Sequence, residues 1–180
     1  MEFKSVTLSE NPLMVIFNDP DYSDVTLLIE DKPLHVIKKI LIAHSETFRI
    51  RLSKFSEAGS NTLTITEPGI TYELFSEFIG YLYGCPIQLT ETEDTLQLLH
   101  LSDYYQVHAL FEACKEFISE RISKENASAI YASVNPVSCS SILQKCINLF
   151  FENLDENREH ILQILDYEMV VKYLLSPLIE

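Results

Sequence analysis

The sequence predicts an α+β fold in which a small sheet near the start of the chain is followed by helices. Two observations support this prediction. Apolar side chains alternate with period two, as in strands with one buried face, within the first third of the 180-residue chain. Beyond residue 70, apolar residues recur at spacings of three and four, as in helices with one buried face. Strands that precede helices, instead of alternating with them, are typical of α+β domains.

The strand pattern occurs three times, and the segments are 24–29, 34–37 and 61–66. In the first segment Val25, Leu27 and Ile29 would share one face, because side chains point alternately to opposite sides of a strand. Asp31-Lys32 would form the turn between the first two strands. A hairpin and a third strand are therefore predicted.

The helical pattern is longer, and its segments are 39–53, 71–83, 94–104, 107–122, 126–131, 142–150, 161–165 and 170–175. Thr90 and Glu93 have the spacing of a capping box, in which each side chain satisfies a free backbone N–H of the first helical turn. The segments after residue 124 carry no strand pattern, so they predict an all-helical extension of the first domain.

Composition and charge restrict the possible functions. The chain is 47% hydrophobic, which favours a sizeable core, and it has 13 basic against 27 acidic residues, a formal net charge of −14. Such a charge repels phosphate backbones, so we expect no nucleic-acid partner. No apolar run is long enough for a membrane span, and the first residues lack a secretory signal. We therefore expect a cytoplasmic or nuclear protein whose four cysteines are reduced.

An ordered set of short motifs runs through the first two thirds of the chain. They are Ser23-Asp24-Val25-Thr26, Ala43-x-Ser45-x-x-Phe48-Arg49, Leu63-x-Ile65, Tyr81-Leu82-Tyr83, Asp103-x-Tyr105 and Leu110-x-x-x-Cys114. Over about residues 22–122 this set resembles the BTB/POZ family of interaction domains, which implies a small sheet flanked by helices. Three positions depart from the family pattern, and the first is Ile37, which precedes Lys38 where the family usually has a histidine. Arg51 stands where an apolar residue is common, and the family's Tyr-Thr-Gly turn reads Tyr83-Gly84-Cys85.

The later helices carry a second resemblance. Glu125-Asn126-Ala127, Leu143-x-x-Cys146 and Tyr173-Leu174-Leu175-Ser176 are similar to the BACK extension of Kelch-like adaptors, although no Kelch repeat is present in the sequence. We therefore expect three parts: an N-terminal dimerisation segment at 1–20, a BTB/POZ domain at 21–122 and a BACK-like helical extension at 123–180.

One acid–base pair is singled out by the resemblance. Asp24 and Lys38 are similar to the two residues that line the charged pocket of dimeric BTB domains. The structural alternative is a salt bridge between the first strand and the first helix, which contributes little when it is exposed. Both interpretations place the two residues close together.

A second candidate site is the sequence Leu89-Thr90-Glu91, which has the form apolar-x-acid. Kelch-like adaptors use a motif of this form to bind a cullin scaffold, since a buried apolar anchor gives affinity and a charge fixes orientation. Thr95-Leu96-Gln97 is a competing placement that lacks the acid, and Glu91 also suits the negative first turn of a helix. The resemblance adds Arg51 and Tyr105 as candidate cullin contacts.

Catalytic and metal-binding patterns are weak by comparison. His44, Ser45 and Glu46 are contiguous, so they cannot converge as a triad on one helix. Cys139 and Cys146 lie seven apart without a histidine at ligand spacing. We therefore expect no catalytic residue, no metal site, no cofactor and no enzymatic activity.

The N-terminal segment is the candidate dimer interface. Phe3, Val6 and Leu8 resemble an alternating strand, and Leu13 and Phe17 add apolar surface on a short helix that would begin near Asn11-Pro12. In BTB dimers such a segment crosses to the partner subunit; the alternative is that it folds back onto its own domain. Symmetric dimers are the commonest soluble oligomers, so we expect a homodimer.

These expectations lead to two functional hypotheses. The first is a homodimeric adaptor that joins a cullin-based ubiquitin ligase to a target protein that the sequence does not identify. The second is a non-degradative oligomerisation scaffold, or a competitor that forms mixed dimers with larger BTB proteins. Binding to a cullin scaffold would distinguish the two.

Overall fold

The structure is a computed structural model that describes residues 11–57, 61–67 and 69–152. The chain divides into two compact units, Met1–Cys114 and Lys115–Glu180. The strands are β1 (Val25–Ile29), β2 (Lys32–Val36) and β3 (Thr62–Thr64). The helices are α1 (Pro12–Val15), α2 (Lys38–His44), α3 (Glu46–Glu57), α4 (Tyr72–Leu82), α5 (Thr92–Tyr104), α6 (His108–Glu120), α7 (Ala127–Ser133) and α8 (Ser140–Glu152). The α+β prediction is confirmed.

The sheet has the order β2-β1-β3. β1 is the central strand, and its side chains alternate between buried and half-buried, as the period-two pattern predicted. β2 pairs with it in antiparallel register, with Leu27 opposite Leu34. The turn between them is formed by Glu30 and Asp31, which both have positive φ. Such a two-residue turn has the backbone twist that a tight hairpin requires.

The third strand runs parallel to β1, with Leu63 beside Leu27. A parallel pair needs a crossover between its strands, and here α2 and α3 supply it. The sequence predicted β3 but not its direction, because alternation reveals which face is buried and not which neighbour the strand joins.

The helical segment predicted at 39–53 is in fact two helices that meet at Ser45. This residue is extended, with φ −143° and ψ 120°. Its hydroxyl accepts the Phe48 N–H at 3.1 Å and donates to the Tyr105 carbonyl at 2.5 Å. The helical pattern over 39–53 did not locate this break, which falls at a serine because the serine hydroxyl offers the first turn of the next helix a side-chain acceptor and so makes an effective N-cap.

An aromatic cluster fills the core of the first unit around Tyr105. Its ring stacks on Phe48 with centroids 4.3 Å apart and contacts Phe75 and Phe78 at 5.6 and 5.5 Å. All four side chains are buried. Aromatic pairs in such geometry contribute about 0.5–1.5 kcal/mol each beyond their burial, so the cluster is a main source of stability in this unit.

The helix starts differ from the predicted capping box. α5 has Glu91 at its N-cap and no side-chain capping bond there, so the predicted pairing of Thr90 with Glu93 was wrong. Thr71 caps α4 instead, its hydroxyl accepting the Leu74 N–H at 3.3 Å. Thr71 and Thr90 have the same intrinsic preference for the N-cap position. Tertiary packing therefore decides that Thr71 caps a helix and Thr90 does not.

The second unit contains the two helices that the stripes at 126–131 and 142–150 predicted, α7 and α8. Their buried side chains include Ile130, Ile142 and Cys146, and the rings of Tyr131 and Phe150 contact each other at 5.8 Å. The predicted stripes at 161–165 and 170–175 lie outside the described residues. None of the helices in the described ranges is both long and apolar enough to cross a membrane.

Candidate interaction site

Three polar side chains from different elements form a hydrogen-bonded network at the edge of the aromatic core. Arg51 comes from α3, Glu67 follows β3, and Tyr105 is the C-cap of α5. The Arg51 guanidinium pairs with the Glu67 carboxylate and donates to the Tyr105 hydroxyl at 2.8 Å. That hydroxyl donates to Glu67 at 2.9 Å. The network joins three elements at one point.

Burial and hydrogen bonding set the protonation states of this network. Burial would raise the pKa of Glu67, but the hydrogen bonds from Arg51, from the backbone and from Tyr105 outweigh it, so that pKa lies below its ordinary value. The Thr66 N–H also donates to the Glu67 carboxylate, at 2.9 Å. Burial raises the pKa of Tyr105 well above its ordinary value. The carboxylate is therefore charged and the phenol protonated, as the hydrogen bonds require.

The predicted contacts Arg51 and Tyr105 thus lie together, but they differ in accessibility. Arg51 retains 23% of its side-chain exposure, whereas Tyr105 is fully buried. A buried side chain cannot touch a partner directly, so the structure places Tyr105 in the support of Arg51 and not on a contact surface. Tyr104 and Tyr105 are adjacent in sequence, and the pattern did not indicate which of the two faces the core. In the structure Tyr105 is buried and Tyr104 is exposed.

The other predicted cullin contacts lie at the start of α5. Leu89 is half-buried, while Thr90 and Glu91 are exposed. An anchored apolar side chain followed by an accessible acid is the arrangement that a contact motif needs.

Asp24 and Lys38 lie close together, and the contact between them uses the Asp24 side chain and the Lys38 backbone. The Asp24 carboxylate accepts the Lys38 backbone N–H at 2.6 Å, and the Lys38 ammonium donates to the Leu52 carbonyl at 3.1 Å. Lys38 is the first residue of α2, whose N-cap Ile37 makes no side-chain capping bond. Asp24 thus satisfies a free N–H at a helix start, where a negative charge is also favoured. The pair ties β1, α2 and α3 together.

The predicted dimer residues fall in two groups. Phe3, Val6 and Leu8 lie outside the described residues. Leu13 is on α1 and is 38% exposed, and the Phe17 ring contacts the Tyr83 ring at 5.1 Å. Phe17 is therefore already packed within its own chain, whereas Leu13 has unburied apolar surface.

A surface pocket of about 290 Å³ lies beside the polar network. Its walls come from Glu67, Gly69, Ile70, Leu74, Gln97, His100, Leu101 and Tyr104. The ring of Tyr104 is 54% exposed at this place. Most of the lining is apolar, so the pocket suits a side chain of another protein better than a charged small molecule.

Two further observations concern reactive groups. Within the described ranges no group of three or more His, Cys, Asp or Glu side chains is placed to hold a metal ion. The four cysteines all lie within the described ranges and form no disulfide, and three of them are buried. Ser45 and Asn11 also bond to carbonyls that are distant in the chain, those of Tyr105 and Tyr83, and the sequence could not reveal these partners.

Comparisons with known proteins identify a family for the first two thirds of the chain. The family model of the BTB/POZ domain matches residues 13–122. The BTB domain of human gigaxonin, a solved structure, is 25% identical and covers 64% of this chain and 99% of its own, with a TM-score of 0.46.

Curated relatives extend the similarity over most of the chain. A BTB/POZ domain-containing protein of Arabidopsis thaliana is 26% identical over 81% of this chain and 62% of its own length. Human Kelch-like protein 24 is 24% identical over 97% of this chain, and Kelch repeat and BTB domain-containing protein A55 of Vaccinia virus is 23% identical over 90%. The chain spans only 30% and 28% of these two proteins.

Proposed function

The chain belongs to the BTB/POZ family, whose domains mediate protein–protein interactions, and we propose that it homodimerises and acts as an adaptor for a cullin-based ubiquitin ligase. The proposed parts are a dimerisation segment at 1–20, the interaction domain at 21–122 and a BACK-like extension at 123–180. The similarity to Kelch-like protein 24 supports the extension, since it covers 97% of this chain and so continues beyond residue 122.

The observation that carries the proposed dimer is the exposure of α1. Three of its four residues are Leu13, Met14 and Val15, which are 38%, 40% and 74% exposed, and none of the helix is buried. A second subunit that covered these side chains would remove apolar surface from water, at about 25 cal/mol per Å². The apolar surface is contiguous along one short helix, unlike isolated exposed residues, which are normal.

The proposed cullin contact uses Leu89, Thr90 and Glu91, with Arg51 as an accessible charge. The sequence contains other stretches of the same apolar-x-acid form, among them Phe55-Ser56-Glu57 at the end of α3. Glu57 has the same spacing from an apolar residue as Glu91, so a binding experiment has to compare the two positions. The proposed charged pocket of Asp24 and Lys38 would act near the dimer surface.

The cullin proposal is tested by binding to the N-terminal half of a cullin scaffold, measured by size exclusion with light scattering. We expect a stoichiometric complex that Glu91→Lys weakens at least tenfold, while Glu93→Lys, the same charge change two residues later, leaves it unaltered. If Glu57→Lys abolishes binding instead, the contact lies at the end of α3. A dimer that binds no cullin would support the scaffold or competitor hypothesis.

The dimer proposal is tested separately by sedimentation of Val15→Asp. A charge on the exposed face of α1 should convert the dimer to monomer, because burying an unpaired carboxylate is costly. Ile50→Asp is the matched control, since Ile50 is a 52% exposed apolar residue on another helix. Equal sedimentation of both variants and of the unchanged protein would contradict the assignment of α1 to the interface.

A further inference from the structure

We infer that Asn11 and Gly84 hold residues 11–18, here called the α1 segment, against the domain of their own chain. The segment would then be a fixed part of each subunit, and any exchange of N-terminal residues between subunits would be confined to those before Asn11. The inference concerns the attachment of this segment within one chain, so it stands whether or not the proposed dimer forms.

One side chain makes the first attachment. The Asn11 side-chain oxygen accepts the Leu13 N–H at 3.1 Å and so caps α1, while its Nδ2 donates to the Tyr83 carbonyl at 2.9 Å. Tyr83 is the C-cap of α4, where carbonyls lack partners within the helix. A single amide therefore joins the start of α1 to the end of α4, and only a side chain with both an acceptor and a donor can do so.

Gly84 makes room for this amide. Its φ is +83°, and a Cβ at this position would lie 2.1 Å from the Asn11 Nδ2. A side chain at position 84 would therefore collide with the Asn11 amide unless that amide moved. Glycine also adopts positive φ without the steric cost that other residues carry.

The other end of the α1 segment has its own attachments. The Phe17 ring packs on the Tyr83 ring. It also lies close to Gly80, since a Cβ added at Gly80 would be 3.4 Å from the Phe17 Cε1. Asn18 has φ +57°, and its side-chain oxygen accepts the His35 N–H at 2.9 Å. His35 belongs to β2, an edge strand of the sheet, so Asn18 also covers a backbone donor at that edge.

Both ends of the segment are thus attached while the helix between them faces outward. The exposed apolar side chains of α1 are held in one place by the side chains of Asn11, Phe17 and Asn18, which lie on either side of the helix. Asn11 is therefore a positioning residue for this face: its loss should loosen the segment and leave the core of the domain intact.

Amide hydrogen exchange measured by mass spectrometry tests the inference. Asn11→Asp keeps the acceptor that caps α1 but cannot donate to the Tyr83 carbonyl. We expect exchange in residues 12–18 to accelerate about five- to tenfold, the change expected for one lost hydrogen bond, while exchange at Leu27 in β1 is unaltered. Unchanged exchange in residues 12–18 would overturn the inference.

Two glycines give a matched pair for the steric part. Gly84→Ala and Gly69→Ala both place alanine at positive φ, but nothing lies within 4 Å of a Cβ at Gly69. Only Gly84→Ala should accelerate exchange in residues 12–18, and combining it with Asn11→Ala should add little, because the clash is then absent. Equal effects of the two glycine variants, or full additivity of the double variant, would contradict the fit.

Dilution distinguishes attachment within one chain from attachment to a partner. If Asn11 bonds to Tyr83 of its own chain, Asn11→Asp accelerates exchange in residues 13–18 to the same extent in the dimer and in the diluted monomer. An acceleration that is seen in the dimer and is absent from the monomer would show that the Asn11 bond crosses to the partner subunit. This result would refute the inference and at the same time support the proposed dimer, so the two proposals fail separately.

Discussion

Ser45→Ala should destabilise the first unit strongly although it removes one oxygen atom. The hydroxyl caps α3 through the Phe48 N–H at 3.1 Å, and loss of such a cap costs about 1 kcal/mol. The same hydroxyl donates to the Tyr105 carbonyl at 2.5 Å in a buried position, and an unsatisfied buried acceptor costs about 1–3 kcal/mol. We therefore expect the free energy of unfolding to fall by about 2–4 kcal/mol.

The assay is urea unfolding followed by circular dichroism, with Ser53→Ala as the control. Ser53 lies on the same helix, is exposed, and donates only to the Arg49 carbonyl four residues earlier. Its substitution should change stability by less than about 0.5 kcal/mol. If Ser45→Ala loses no more than Ser53→Ala, the double role assigned to Ser45 is wrong.

Three further outcomes follow from the network and the thiols. Tyr105→Phe should cost about 1–3 kcal/mol in urea unfolding, because Glu67 loses a donor and the Arg51 bond to the hydroxyl is also lost; a neutral effect would contradict the network. Glu67, whose pKa is lowered, should contribute stability that is fully present above about pH 4.5, the ordinary value, and is lost as pH falls through its folded value. Glu67→Gln should therefore cost less stability at pH 3 than at pH 7 in the same unfolding assay, and an equal loss at both would refute this. Burial raises the pKa of Cys114 to about 12 and that of Cys146 to about 11, so neither should react with a thiol reagent at pH 8 before half-buried Cys85 does, as mass spectrometry of native labelling would show.

The elements were predictable because their signals are local. Alternation in β1 and the three-and-four spacing in α4 each lie within a dozen residues, and both elements were found where the sequence predicted them. The break at Ser45 was missed because the apolar spacing continues across it. What ends α2 there is a hydroxyl that bonds Tyr105, sixty positions away.

The candidate sites were less predictable for the same reason. The sequence named Arg51 and Tyr105 as surface contacts, but their environment depends on Glu67, which arrives from a third element. A side chain's burial follows from which elements pack on it, and no local pattern records that packing. Asp24 and Lys38 were expected to be close, and the bond that joins them uses the Lys38 backbone and not its charge.

Two of the departures from the family pattern share one physical logic. Arg51 brings a charge to the edge of the core, and such a charge is tolerated only with partners; Glu67 and Tyr105 provide them. Gly84 removes a side chain from a turn, and Asn11 occupies the space. In each case the residue that departs and the residue that compensates are distant in sequence and in contact in space. An apolar residue at position 51 would deprive Glu67 and Tyr105 of their hydrogen bonds with Arg51, and a side chain at position 84 would collide with the Asn11 amide, so each residue fits this structure only together with its partner.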